Sequence, residues 1–474
     1  MNTMKENDTI AALCTPAGKS ALAVIRVSGP KVLTITGMLF PSLKLTKLKT
    51  HTLHFGLLKD GNQVIDEAVV SIFRSPKSFT GEDVAEISCH GSPYIVNKVM
   101  DLLLKNGART AKPGEFTMRA FANGKFNLMQ AEAIGDLIAS ETETAHTIAL
   151  KQMRGGFSGD LKNMRQKLID FASLLELELD FSEEDVQFAN RKDLTVQLKM
   201  MCMQINALLQ SFRLGNVLKN GVSAVIAGRP NAGKSTLLNA LLNEQRAIVS
   251  EIAGTTRDSI ESTLVIDGIA FRLTDTAGIR ETTDKLEQLG VERTMRNIKN
   301  ADIIIYLFDA KATTPKEADD DMRKLVSALL PAGLKPEVKS NLNEEAGEGI
   351  VPVIPVANKI DLLPDKPLLG GKTIAVSAKS GKGIEMLKRR LSETVLNGKQ
   401  IEENTILTNS RHVEALQAAL ASLYKALEGL ETNSTGELIA SELRSAMNSI
   451  GEITGEITTD DLLQNIFGRF CIGK

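Results

Sequence analysis

Gly228-Arg229-Pro230-Asn231-Ala232-Gly233-Lys234-Ser235 is a glycine-rich turn ending in a lysine and a hydroxyl, set between the apolar run Val222 to Ala227 and the helix-forming Leu237 to Leu242. A strand, such a loop and a helix in that order make a phosphate cradle. Backbone N–H groups converge on phosphate oxygens, the helix start adds partial positive charge, Lys234 reaches the terminal phosphates, and the Ser235 hydroxyl is placed to hold Mg2+. Thr236 continues the first helical turn. Downstream, Asp275-Thr276-Ala277-Gly278 follows the strand-like Ala270 to Thr274, so the Asp275 carboxylate lies at a strand end, within reach of the magnesium shell. Asn358-Lys359-Ile360-Asp361 follows the apolar Val351 to Ala357, and Ser377-Ala378-Lys379 follows Thr373 to Val376. Guanine presents two N–H donors on one edge, which Asp361 accepts, and acceptors that Asn358 and the Ala378 amide serve. Adenine matches neither, so the nucleotide expected is GTP.

Ser250-Glu251-Ile252-Ala253-Gly254-Thr255-Thr256 lies between the phosphate loop and Asp275, where a threonine senses the γ-phosphate through Mg2+. Thr256 is expected in that role beside Ser235. After Ala277-Gly278 comes Ile279, where Ras-type enzymes carry a glutamine that orients the attacking water. An aliphatic side chain cannot orient water. Glu281, two residues on, offers a carboxylate for the task, and a solvated loop charge is the other reading. Asn231 is open to two readings as well. Its amide oxygen can ligate a monovalent cation such as K+, with Ser250, Ile252 and Thr255 supplying further oxygens, or it serves only the turn geometry.

These residues need a framework, and the prolines outline it. All 14 lie at or before Pro113 or within Pro230 to Pro367, which leaves 114–229 and 368–474 free for helices. Leu161, Met164, Leu168, Phe171 and Leu175 recur at helical spacing, as do Val413, Leu416, Leu420, Leu423 and Leu427. Both are core stripes. One helical domain in two segments, with the GTPase domain inserted between them, is the economical arrangement. The N-terminal part has short β-rich runs, Ala21 to Val27, Thr52 to Leu58, Glu67 to Phe73 and Val84 to Cys89, and one amphipathic helix, Tyr94 to Lys105, stopped at Gly107. The expected fold is multidomain: an α+β domain over 1–122, a discontinuous all-α domain over 123–217 and 398–474, and an inserted α/β P-loop (Ras-like) domain over 218–397. A polar insertion is read at 341–349.

A length of 474 residues suits about three domains. The net charge of −2 excludes a globally basic nucleic-acid binder, so any RNA contact must be local or lent by a partner. Cys14, Cys89, Cys202 and Cys471 are widely spaced, with no disulfide framework or zinc signature, and the polar start at Met1 to Asp8 reads as no signal peptide, which points to a reducing cytoplasm. Apolar runs such as Ile303 to Phe308 are too short to span a bilayer and read as buried parallel strands.

The ends of the chain carry a resemblance. Asp8-Thr9-Ile10-Ala11-Ala12, Ile25-Arg26-Val27-Ser28-Gly29, Phe79-Thr80-Gly81-Glu82-Asp83-Val84, Pro113 to Phe121 and Phe470-Cys471-Ile472-Gly473-Lys474 closely resemble the MnmE (TrmE) family of tRNA-modification GTPases, as do the phosphate-loop, Gly254-Thr255-Thr256-Arg257-Asp258 and Asp275 to Glu281 motifs. The departures are the longer stretch at 341–349 and Ser250, where members often carry threonine. The resemblance implies potassium-stimulated GTP hydrolysis that drives conformational change within a homodimer formed through the N-terminal domains. It implies 5-formyltetrahydrofolate as one-carbon source, held by Arg26, Glu86, Lys125 and Lys474, since carboxylates suit pterin N–H donors and cations suit the anionic tail. It further implies the FAD protein MnmG as partner, building an aminomethyl or carboxymethylaminomethyl group at C5 of the wobble uridine of certain tRNAs, with Cys471 required for that reaction. A lone cysteine is otherwise a small buried hydrophobe, although burial is less expected so near a chain end. A ribosome-assembly GTPase of the Era or Der kind is the alternative, and it predicts a basic RNA-binding appendix that the charge balance does not supply.

Overall fold

The computed structural model describes residues 8–180, 190–243, 261–275, 301–329, 351–363, 373–396, 406–432 and 434–473. The chain divides into two compact units, one of Met1–Ala139, Ala149–Leu209 and Ser410–Lys474, the other of Ser140–Ile148 and Gln210–Asn409.

The first unit opens with a sheet of β1 (Ile10–Leu13), β2 (Ser20–Ser28), β3 (Thr52–Asp60), β4 (Gln63–Phe73), β5 (Val84–Gly91) and the short β6 (Arg109–Thr110), in the order β3-β4-β5-β2-β1-β6. Neighbours are antiparallel except β1 and β6. Alternation along the strands sends Ile25, Val27, Val70 and Ile87 to one buried face, where α1 (Val32–Leu39) and α2 (Pro93–Lys105) cover them with Val32, Ile35, Val99 and Leu103. The amphipathic pattern of α2 predicts it. That of α1 does not: Val32, Thr34, Ile35 and Thr36 are poor helix formers, and five of its eight residues are buried, so packing overrides propensity.

The rest of this unit is helical: α3 (Glu115–Ala122), α4 (Leu128–Ala139), α5 (Glu143–Met153), α6 (Ser158–Asp180), α7 (Arg191–Asn220), α11 (Ser410–Glu431), α12 (Gly436–Thr454) and α13 (Asp460–Phe467). The predicted stripes meet here, with Leu161, Leu168 and Leu175 of α6 and Leu416 and Leu423 of α11 all fully buried, and α12 packed against both helices. Helices α5 and α7 each contribute residues to both units.

The second unit is a six-stranded sheet of β7 (Val222–Ala227), β8 (Glu261–Ile266), β9 (Ile269–Asp275), β10 (Ile303–Asp309), β11 (Val353–Asn358) and β12 (Ile374–Ala375), ordered β12-β11-β10-β7-β9-β8 and parallel except for the β8–β9 hairpin. Helices α8 (Lys234–Asn243), α9 (Pro315–Leu329) and α10 (Ile384–Leu396) accompany it. Every residue of Ile303 to Phe308 is buried, the burial expected of a central parallel strand. Among the described residues no helix is long and apolar enough to cross a membrane.

Candidate functional site

In an α/β sheet of this kind ligands bind beyond the carboxyl ends of the parallel strands. The loops that follow β7, β11 and β12 meet there, joined by side chains from the motifs. Asn358 Nδ2 donates to the Ala232 carbonyl at 2.8 Å, and Asn358 Oδ1 accepts the Ala378 amide at 3.0 Å. Lys359 Nζ donates to the Asn231 carbonyl at 2.8 Å. Ser377 Oγ donates to Asp361 Oδ1 at 2.7 Å, leaving the exposed carboxylate a second oxygen for an incoming donor. Asn358 and the Ala378 amide, expected side by side as guanine contacts, are bonded to each other here, so Asn358 acts as a tie between loops.

Backbone geometry shapes the phosphate loop. Gly228 lies at φ 154°, and a Cβ on it would come within 2.0 Å of the Leu307 carbonyl of β10. Gly233 lies at φ 93°, where a Cβ would come within 2.5 Å of Asn358 Nδ2. Asn231 adopts φ 62°, the left-handed conformation that asparagine tolerates best among residues with a Cβ, and its side chain is exposed. Lys234 begins α8, and its ammonium donates to the Gly228 and Arg229 carbonyls at 3.1 and 3.2 Å, at the mouth of the loop. An anion there meets the α8 N-terminus and this charge together.

Sequence reasoning missed a strut on the same loop. Arg229 Nε donates to Asp321 of α9 at 2.6 Å, and Asp321 also accepts the Tyr306 hydroxyl of β10 at 2.8 Å. The arginine bond is the main cause that holds the Asp321 carboxyl below its usual range. No motif marks this contact, because α9 is joined to the loop only through the fold.

Ser235 is in the first turn of α8, and Asp275 ends β9 in register with Ile226 of β7. A hydroxyl and a carboxylate are hard oxygen donors, which fit Mg2+. Among the described residues no group of three or more His, Cys, Asp or Glu could hold a metal, and a P-loop magnesium site needs none. Thr236 is exposed, as is Lys379. Ser250 to Thr256, Thr276, Ala277, Gly278 and Glu281 lie outside the described residues.

A second constellation lies in the first unit. Ala12, Arg26 and Glu86 stand in one row across β1, β2 and β5. Arg26 Nε donates to Glu86 Oε1 at 2.9 Å, and its guanidinium sits over the Phe79 ring at 5.0 Å and the Phe116 ring at 5.6 Å. Phe79 also lines an open surface depression of about 490 Å3, together with His51, Phe73, Lys77, Ser78 and Lys125. Lys125 Nζ donates to the Pro76 carbonyl at 3.1 Å. The chain end arrives beside the row: Cys14 Sγ donates to the Gly473 carbonyl at 3.1 Å, and the Gly114 amide donates to that of Cys471, whose side chain is exposed. Arg26, Glu86, Lys125 and the Cys471 tail, far apart in sequence, thus belong to one region; Lys474 lies outside the described residues.

A charge network built on the buried Arg119 and Glu115 fixes the loop that carries Phe79. Arg119 donates to Asp8 at 2.5 Å, Glu115 at 3.0 Å and Glu82 at 3.2 Å, while Ser28, two residues along β2 from Arg26, donates to Glu82 at 2.7 Å. Burial alone would raise the Glu115 carboxyl, but Arg109, the Lys112 amide and Arg119 outweigh it and hold it below the usual range.

Comparison with known proteins covers both constellations. A family profile described as the MnmE helical domain matches residues 128–471, and one described as the GTP-binding protein TrmE N-terminus matches residues 9–125. The tRNA modification GTPase MnmE of Cytophaga hutchinsonii is 49% identical over 471 residues, 98% of this chain and 98% of its own. That of Christiangramia forsetii is 48% identical over 492 aligned positions, 99% of this chain and 100% of its own. Among solved structures, Era of Aquifex aeolicus bound to GDP·AlF4− is 26% identical over 43% of this chain and 66% of its own, with a TM-score of 0.25.

Proposed function

The chain belongs to the MnmE family of tRNA modification GTPases, and from that premise we propose that its GTP hydrolysis serves modification of the wobble uridine of certain tRNAs. The observation that carries the proposal is the end-to-end likeness, 49% identity over 98% of both chains. The family profiles match residues 9–125 and 128–471, the spans in which the nucleotide motifs, Arg26, Glu86 and Cys471 lie.

In this reading the Asn231 to Thr236 amides and Lys234 bind the phosphates, and Asp361 accepts the guanine N–H donors while Lys359, Ser377, Ala378 and Lys379 complete the base pocket. Ser235 and Thr256 would hold Mg2+, with Asp275 supporting it; when bound, the ion would neutralise phosphate charge. Asn231, with Ser250, Ile252 and Thr255, holds K+, and Glu281 orients the attacking water. Glu251, Ala253, Gly254, Thr276, Ala277 and Gly278 line the same site. Arg26, Glu86, Lys125 and Lys474 hold 5-formyltetrahydrofolate, whose pterin N–H donors suit Glu86 and whose anionic tail suits the cations. Cys471 acts on the one-carbon side of the reaction. A homodimer through residues 1–122, joined by MnmG in the cytoplasm, installs the aminomethyl or carboxymethylaminomethyl group at C5 of the uridine. The helical domain of 123–217 and 398–474 surrounds the GTPase domain of 218–397 in sequence.

Mass spectrometry of tRNA wobble nucleosides from cells lacking the protein tests the proposal. The modified uridines should disappear and return when the wild-type gene is restored. Unchanged nucleosides overturn it.

A further inference from the structure

We infer that Asp309 is a positioning residue of the nucleotide site: through Lys359 it locks the guanine loop to the phosphate loop and thereby sets nucleotide affinity. The inference rests on the reading of these loops as a GTP site and extends it to a residue that none of the motifs contains.

Asp309 is the last residue of β10, between β7 and β11, and it lies in register with Asn358 at the end of β11. One carboxylate oxygen, Oδ1, accepts the Lys311 amide at 2.9 Å, which fixes the side chain against its own turn. The other, Oδ2, accepts Lys359 Nζ at 2.8 Å. The same ammonium donates to the Asn231 carbonyl at 2.8 Å. Lys359 thus spans from a carboxylate at the carboxyl end of the central strand β10 to the backbone of the phosphate loop. Burial would raise the Asp309 carboxyl, but the Lys359 and Lys311 donors outweigh it and keep the group ionised.

The geometry explains two backbone conformations at once. Lys359 lies at φ 64° and Asn231 at φ 62°, each unfavourable for a residue with a Cβ. A charge-assisted bond from Asp309 to Lys359, and from Lys359 to the Asn231 carbonyl, holds both in place. Asn358 makes the neighbouring tie to the Ala232 carbonyl, but that tie is neutral and does not depend on Asp309. Removing the carboxylate charge weakens the anchor of Lys359, which makes one of the two crossing bonds, so the loops persist while their mutual placement loosens. Nucleotide bridges those loops, with its base on one and its phosphates on the other, and the loosening appears as weaker binding and faster release.

Titration of full-length protein with N-methylanthraniloyl-GDP, alongside GTP turnover at saturating substrate, tests this. Asp309→Asn should raise the Kd roughly tenfold, mainly through faster dissociation, the loss expected for one hydrogen bond to a charged group. The saturated rate should stay within about twofold, and Asp309→Glu should recover part of the affinity. Lys359→Ala should weaken binding, and adding Asp309→Asn to it should weaken binding no further, because the two act as one unit. Wild-type affinity in Asp309→Asn, equal losses in Asp309→Asn and Asp309→Glu, or additive losses in the double variant would each overturn the assignment. A thermal midpoint without nucleotide that falls in step with affinity would also overturn it, as general destabilisation. Wild-type protein that fails to bind the GDP probe would overturn the nucleotide-site reading itself, and this inference with it.

Discussion

Asn231 combines a left-handed backbone with an exposed amide, so the turn geometry is seen and the proposed cation role is a separate question about the same residue. Alanine would confound them, because a Cβ without a local hydrogen bond costs about 1 kcal/mol in that conformation. Asn231→Gly separates them: glycine keeps the turn and removes only the amide oxygen. Turnover of Asn231→Gly in potassium should drop at least tenfold towards the rate in sodium, with little change in GTP affinity, because the amide acts on charge developing in the transition state. Stimulation by potassium that survives in the glycine variant would leave Asn231 as a turn residue. At the same scale Glu281→Ala should abolish hydrolysis while nucleotide binding persists, since Ile279 cannot orient water. Measured turnover within a few-fold of wild type would assign the water to another group.

Between elements, the decisive contacts are polar groups that cross from one helix or strand to another. Glu132 of α4 accepts Arg411 Nε at 2.9 Å and bonds the His412 ring at 2.8 Å, both from the start of α11, and so clamps two helices almost 280 residues apart in sequence. Burial would raise this carboxyl, but His412 and Arg411 overcome it and bring the pKa to about 2, against an ordinary 4.5. A carboxyl depressed in the folded state adds stability above its unfolded pKa and loses it as pH falls through the folded value. The clamp is therefore fully present above about pH 5 and fades as pH falls from about 4.5 towards 2. Glu132→Gln should lower unfolding free energy at pH 7 by about 3 kcal/mol, the cost of leaving the largely buried Arg411 guanidinium without its carboxylate. The gap to wild type should narrow steadily below pH 4.5 in denaturant titrations. A constant gap across that range would mean the pair contributes packing alone. The short helix α1 carries a related lesson: its sequence is β-branched, and only the sheet beneath it makes it a helix.

For the molecule as a whole, the question is whether the two constellations can be uncoupled. The Cys471 tail reaches β1 beside the Arg26 row in the first unit, while the phosphate and guanine loops belong to the second. Cys471→Ser should therefore leave GTP hydrolysis within about twofold and stop tRNA modification, because serine keeps size and hydrogen bonding but removes the thiolate. Both activities assayed on one preparation, with thermal unfolding as control, decide it; normal modification by the serine variant makes Cys471 a packing residue. Much of this was legible in the amino-acid sequence. The phosphate loop, the Asn358-Lys359-Ile360-Asp361 motif, the strands β7, β9, β10, β11 and β12 and the helical stripes follow from local residue types and spacing, because backbone cradles and amphipathic faces are written in contiguous residues, while β8 is not read from the sequence. What only the tertiary structure decided are the partners of charged groups: Asp309 on Lys359, Asp321 on Arg229, Glu132 on Arg411 and Arg26 between Phe79 and Phe116. Asp309 left a trace, as a charge closing a wholly apolar strand at the ligand end of a parallel sheet. The others left none, because an ion pair depends on where the fold brings distant side chains, and a charged residue in sequence looks the same whether it meets water or its partner.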